Sequence, residues 1–153
     1  MNSKTHTAEH GLDKARTLLD AGEPQRALEV LSKLDRAPWV ENARGVCLMR
    51  LGHAEKAVPI YRMLLLSGGV TLREDAPETF KANFATALML SGNIDGGLAV
   101  LGELGKSTNP AVARLRQTVA QWRKSLNPAR RLLSLLGVSP QKPMVLDYPP
   151  GEA

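Results

Sequence analysis

Apolar residues recur every three or four positions over most of this chain, and glycines interrupt the pattern at intervals. Three segments align without gaps around such a glycine, at Gly22, Gly52 and Gly92. A spacing of three and four is that of an amphipathic helix, and glycine ends helices because it adopts the left-handed conformation at no steric cost. The pattern therefore predicts one helix before each glycine and a second helix, running back, after it.

Further columns of this alignment keep one kind of residue in all three copies: leucine four positions before the glycine, a large residue nine after it and leucine twelve after it. Small residues stand seven positions before and five positions after each glycine: Ala15 and Ala27, Gly45 and Ala57, Ala85 and Gly97. They predict where the two helices of a pair cross closely, because larger side chains there would push the helices apart. No such hairpin can bury its apolar face alone, so the hairpins are expected to stack.

These columns, with a proline near the start of the next helix (Pro38, Pro77 and Pro110), resemble the tetratricopeptide repeat (TPR) family. The resemblance implies an all-α fold, a right-handed solenoid of about three αα-hairpins with a C-terminal capping helix and an extended tail. The period departs from the usual value of about 34 residues. The longer interval, between Gly52 and Gly92, contains Ser67–Ala76, which is predicted to be a surface loop.

One domain is expected, because 153 residues are too few for two ordinary domains. The predicted organisation is a flexible N-terminus at 1–6, a helical domain at 7–136 and a proline-rich segment at 137–153. The helical domain divides into repeats at about 7–36, 37–67 and 76–105, and capping helices at 109–136. The leucines of the last capping helix are expected to tuck back onto the domain: Leu132, Leu133, Leu135 and Leu136.

The segment 137–153 contains four prolines and cannot be helical throughout. Disorder is one interpretation. The favoured one is an extended segment packed on its own helices or on a second copy, because its apolar side chains would be unfavourable in water. These apolar side chains are Met144, Val145, Leu146 and Tyr148. A segment that filled the binding groove described below would inhibit it.

Composition is ordinary for a globular protein, with 43% apolar and 23% charged residues. The longest apolar runs, such as Met63–Leu66, fall far short of the ~20 residues that span a bilayer. The N-terminal region is polar and lacks the apolar core of a signal peptide. A cytoplasmic protein without a membrane span is therefore expected.

Charge is distributed unevenly along the chain. The net charge is +5, yet the segment Lys106–Arg131 contains seven basic and no acidic residues, which leaves the rest slightly acidic. The basic face predicted on the capping helices comprises Arg114, Arg116, Arg123, Lys124, Arg130 and Arg131. Such a face can attract nucleic acid or another acidic surface. A solvated helix face is the favoured interpretation, because only Trp122 could stack on bases and its spacing predicts burial.

Catalytic chemistry is not indicated by any motif, so the chain is predicted not to be an enzyme and to need no cofactor or small-molecule substrate. Cys47 follows a predicted close-packing glycine and is expected to be a core residue. His6 and His10 are four positions apart, as metal ligands on a helix can be, but no third ligand is near them in the sequence. No metal site is predicted.

The resemblance implies that the first helices of the repeats line a concave groove that takes an extended peptide or a partner helix. Carried over by register, the predicted groove residues are Arg16, Trp39, Asn42, Val46, Met49, Arg50, Thr86 and Met89. Leu12, Leu19 and Ala82 share the register but fit helix packing equally well. Asparagine can bind a peptide backbone through its donor and its acceptor, and arginine can bind carboxylates.

The expected function is that of an adaptor or scaffold that binds another protein through this groove. One alternative is a chaperone for a secreted or assembling partner, because helical-hairpin solenoids shield partner segments. The other is nucleic-acid or acidic-surface binding through residues 106–131. Self-association or self-docking through residues 138–153 is a further possibility for the partner.

Overall fold

The structure is a computed structural model that describes residues 3–69, 71–136 and 143–153. These ranges are mostly helical, which confirms the expected all-α class. The helices are α1 (Ser3–Asp20), α2 (Pro24–Ser32), α3 (Pro38–Arg50), α4 (Ala54–Leu65), α5 (Glu78–Leu90), α6 (Ile94–Glu103), α7 (Pro110–Lys124) and α8 (Pro128–Leu135). Two short strands, β1 (Leu66–Ser67) and β2 (Thr71–Leu72), form an antiparallel hairpin.

The three aligned glycines end α1, α3 and α5 in the same way. Gly22, Gly52 and Gly92 have φ values of +74°, +79° and +91°, in the left-handed region. The N–H group after each glycine donates to the carbonyl of the leucine four positions before it, over 2.8 Å in every copy. This pattern is the Schellman cap, and its carbonyl acceptors are Leu18, Leu48 and Leu88. The glycine column is therefore explained by a repeated helix end.

The small residues of the repeat lie where paired helices touch. A Cβ atom added to Gly45 would lie 2.6 Å from Cζ of Tyr61, whose ring is fully buried between α3 and α4. A Cβ atom on Gly97 would lie 2.8 Å from the carbonyl oxygen of Ala85. Since real Cβ contacts are not this short, only glycine allows these two helix pairs to approach so closely.

Consecutive helices pack as the pairs α1–α2, α3–α4 and α5–α6, and contacts of α2 with α3 and of α4 with α5 join the pairs. The first helices also contact one another in chain order, from α1 through α3 and α5 to α7. These four helices therefore form one layer. A single buried apolar cluster runs from Ala15 to Leu126 and also includes Met144.

Two features differ from the sequence-based expectations. Helix α1 begins at Ser3, within the predicted flexible terminus. The predicted loop after α4 contains the β-hairpin, which pairs Leu66 with Leu72 and buries the latter. None of the described helices combines the length and apolar character needed to cross a bilayer.

The expectation that the leucines of α8 tuck back is wrong for those that the structure describes. Leu132, Leu133 and Leu136 are 60%, 44% and 70% exposed. Leu126 is the last core residue among the described side chains of 109–136. Pro128 cannot continue α7, and the new helix that it begins turns these leucines outward. The side chain of Leu135 lies outside the described residues.

Gly45→Ala should lower the free energy of unfolding by about 1–3 kcal/mol, because the added methyl group must displace the buried ring of Tyr61. Gly102→Ala is the matched control. Gly102 lies in α6 with open space around its Cβ position, so stability should stay unchanged or rise by up to about 1 kcal/mol. Urea unfolding followed by circular dichroism measures both; equal effects would contradict the close crossing.

Candidate functional site

Residues 143–153, here called the docked segment, lie across the layer formed by α1, α3, α5 and α7. The segment has no helix or strand of its own. Side chains from all four helices hydrogen bond or form ion pairs with its last residues. The site is therefore a surface that holds an extended peptide.

The centre of the site is a pair of buried asparagines that bind the main chain of Glu152. Asn83 Nδ2 donates to the Glu152 carbonyl over 2.8 Å, and Glu152 N–H donates back to Asn83 Oδ1 over 3.0 Å. Asn42 Nδ2 donates to the same carbonyl over 3.0 Å. The two amides are joined by a 2.8 Å bond from Asn83 Nδ2 to Asn42 Oδ1. In the docked segment, this network binds main-chain atoms only.

Two arginines hold the main chain on either side of Glu152. Arg50 donates to the carbonyl oxygens of Pro150 and Gly151 over 3.2 and 2.9 Å, and its third bond goes to the Leu19 carbonyl at the end of α1. Arg16 donates to the backbone oxygen of Ala153 over 3.1 Å. Burial lowers the pKa of Arg50, and nearby acids oppose this shift. The guanidinium stays charged at neutral pH because its ordinary pKa is so high.

Gly151 is held tightly against α3. Its φ is +79°, and a Cβ atom there would lie 2.7 Å from Met49 Cε and 2.9 Å from Val46 Cγ2. Both the left-handed backbone and the missing space disfavour any side chain at this position. The site therefore includes a steric element beside its hydrogen bonds.

Helix α7 supplies the charged side of the site. The guanidinium of Arg114 lies 3.6 Å from a carboxylate oxygen of Glu152 and 5.3 Å from the centre of the Tyr148 ring. The Tyr148 hydroxyl lies 3.4 Å from Thr118 Oγ1. Arg114 thus bridges an acidic and an aromatic side chain of the docked segment by ionic and cation–π contacts.

At the other end of the docked segment, Met144 anchors the chain. Its side chain is buried, in the same apolar cluster as the helices. The following Val145 is 81% exposed. A cleft next to Met144 is lined by Met49, Ala54 and Leu90. The alternation of a buried and an exposed residue is that of an extended chain on a surface.

The predicted groove residues divide into two sets. Those that lie against the docked segment are Arg16, Asn42, Val46, Met49 and Arg50. Thr86 lines a small pocket beside the docked segment and donates its hydroxyl to the Ala82 carbonyl over 2.8 Å.

The other two predicted groove residues pack elsewhere. Met89 packs toward Gly97 inside the α5–α6 pair, where the glycine leaves room for it. Trp39 meets Phe80 edge to face, with 4.6 Å between ring centres. Three residues share the groove register but suit helix packing equally well. Of these, Leu19 and Ala82 are buried and Leu12 is half-buried.

The basic residues of α7 and α8 do not share one environment. Arg114 contacts the docked segment, whereas Arg116 donates to the Gly105 and Ser107 carbonyls. The remaining members of the predicted basic face are exposed: Arg123, Lys124, Arg130 and Arg131.

Two residues of the candidate site were not predicted as groove residues. Asn83 was not among the predicted groove residues, and Arg114 was assigned to the basic face rather than to the groove. A signal for Asn83 exists, since it is an amide within an otherwise apolar stretch of α5. A polar group buried in such a helix needs hydrogen-bond partners, so Asn83 is a candidate for a binding contact.

The single cysteine of the chain, Cys47, lies in the protein core. Cys47 is completely buried, and burial raises the pKa of its thiol from 9.0 to about 11, although Arg50 opposes the shift. Its thiolate is therefore scarce at neutral pH. Among the described residues, no group of three or more His, Cys, Asp and Glu side chains could hold a metal ion.

No protein-family model, curated protein or solved structure matches the chain.

Asn83→Ala should free the Glu152 amide, which in the native chain is bound to Asn83 Oδ1. Hydrogen exchange at this amide should accelerate by about tenfold or more, as expected when about 1.4 kcal/mol of local protection is lost. Asn93→Ala is the control, because Asn93 caps α6 and not the docked segment. Slow exchange at Glu152 in Asn83→Ala would contradict the network.

Cys47 should react slowly with a thiol reagent in the folded protein and rapidly in denaturant. Rapid modification of the folded protein would contradict burial of the thiol.

The raised pKa of Cys47 also predicts how stability depends on pH. Its contribution to the free energy of unfolding is complete below about pH 9 and is lost as pH rises toward about 11. Unfolding measured across this range should show a smaller alkaline loss of stability in Cys47→Ala than in the native chain.

Proposed function

We propose that this chain is a non-enzymatic protein-interaction module that binds an extended peptide segment on the face of α1, α3, α5 and α7. The observation that carries the proposal is the binding of the Glu152 main chain by Asn42 and Asn83. Such amide contacts recognise an extended peptide of almost any sequence, because every residue except proline offers the same N–H and C=O groups. The docked segment then acts as a ligand supplied by the chain itself.

A TPR-like solenoid is the architecture that we propose for this module. Support comes from the three repeated helix ends, the small residues at the crossings and the succession of contacts between first helices. In such an arrangement the first helices present one continuous face, and stacked hairpins create extended binding surfaces. The bound peptide can then contact several repeats at once.

An adaptor or scaffold is favoured over an enzyme. The polar side chains that meet at the site are amides and guanidinium groups, which serve as hydrogen-bond partners for carbonyl groups. Arginine does not act as a general base at neutral pH because it stays protonated. If a partner's segment replaces the docked segment on this surface, partner binding is coupled to release of the docked segment.

A synthetic peptide of residues 144–153 tests the proposal on the full-length chain. Glu152→Pro removes the N–H group that Asn83 binds, so it should unseat the docked segment. A labelled peptide should bind this variant about tenfold or more tightly than the native chain, because a tethered segment competes at a millimolar effective concentration. Fluorescence polarisation measures the affinity.

Two further variants control this experiment. Val145→Ser changes an exposed position of the docked segment, so peptide binding should match that of the native chain. Adding Arg16→Ala and Arg50→Glu to Glu152→Pro should abolish binding while circular dichroism stays that of a folded chain. Absence of peptide binding to Glu152→Pro itself would refute the proposed function.

A further inference from the structure

We propose that the site selects ligands in which a glycine is followed by an acidic residue, with an aromatic residue three positions before the glycine. In this chain the pattern is Tyr148-Pro149-Pro150-Gly151-Glu152. The inference rests on the proposed function and adds the sequence class of the partner segment. It follows from contacts that only particular side chains can make.

The glycine requirement has two independent causes. The φ of +79° at Gly151 strains any residue with an L-configured side chain. In addition, Val46 Cγ2 and Met49 Cε occupy the space that a Cβ atom would need, at 2.9 and 2.7 Å. The flexible end of Met49 can move aside, whereas Val46 is stiff at χ1. A ligand with alanine here keeps the backbone strain even after Met49 moves.

The acidic preference comes from Arg114, which lies 3.6 Å from the Glu152 carboxylate. The two side chains are 52% and 43% exposed, so the ionic contact is weaker than a buried pair and depends on salt. Arg50 adds positive charge nearby, since Glu152 is among the groups that raise its pKa. Acidic residues are thus favoured, and basic ones are opposed by two cations.

The aromatic preference comes from the same guanidinium. Arg114 lies 5.3 Å from the centre of the Tyr148 ring, within the range of a cation–π contact. The prolines between the ring and the glycine suit the site because Arg50 binds the Pro150 carbonyl, which proline retains. They also restrict the free peptide to extended conformations, which lowers the entropic cost of binding.

Peptide variants bound to full-length Glu152→Pro separate this inference from the proposed function. Relative to residues 144–153, a peptide with alanine at the glycine should bind about tenfold or more weakly. Glutamine for the glutamate should weaken binding by about two- to fivefold, and lysine by more. Serine at the exposed Val145 position is the matched control and should leave affinity unchanged.

The role of Arg114 is tested by a double-mutant cycle. In Glu152→Pro combined with Arg114→Ala, the preference for glutamate over glutamine should become smaller, as should the preference for tyrosine over alanine at the Tyr148 position. Only the contributions of Arg50 and Thr118 should remain. High salt should reduce the preference for glutamate more in the parent variant than in the Arg114→Ala variant. Preferences of undiminished size without Arg114 would overturn this assignment.

The outcomes of these peptide experiments distinguish a wrong ligand class from a wrong proposed function. If the native peptide binds and all variants bind equally, the ligand class is wrong and the proposed function stands. If no peptide binds, the proposed function fails first. Sedimentation of the native chain should give a monomer. A dimer that exchanges docked segments would assign the surface to a second copy of the chain and overturn the inference of a foreign partner segment.

Discussion

Two buried amide side chains, Asn42 and Asn83, impose the constraint on which the site depends. Each is almost completely removed from solvent. A buried amide without a hydrogen-bond partner costs about 1–3 kcal/mol, so both must be paired. They bind each other and the Glu152 main chain, and the main-chain carbonyl of Asn42 accepts from the Tyr61 hydroxyl. Asn42 therefore contacts the core of its own hairpin through its main chain and the peptide site through its side chain.

The site separates affinity from selectivity. Asn42, Asn83 and Arg50 bind main-chain atoms and so stabilise any extended segment. The contacts that depend on ligand sequence are the close approach at Gly151 and the charge and ring contacts of Arg114. The first kind of contact tolerates exchange of one segment for another. In the proposed function, the second kind limits which segments can exchange, and the tethered segment competes with a partner for one surface.

Sequence analysis predicted the parts of the fold that depend on local rules. Glycines at the helix ends, small residues at the crossings and the apolar period all act within a few turns of helix, so their pattern is visible along the chain. It failed where distant packing decides. The outward leucines of α8 follow the same period as buried ones, and Met89 shares a column with Met49 but fills the space beside Gly97. Periodicity cannot distinguish such faces.

The amino-acid sequence by itself determined the helix ends at Gly22, Gly52 and Gly92 and the close crossings at Gly45 and Gly97, because capping and helical periodicity are local properties. Only the tertiary structure decided that Asn83 joins Asn42, that Arg114 turns from the basic face to the docked segment, and that Gly151 lies against Val46. These residues are far apart along the chain. They meet because helix packing brings α3 against α5 and α5 against α7, and that placement depends on side-chain contacts between residues far apart in the sequence.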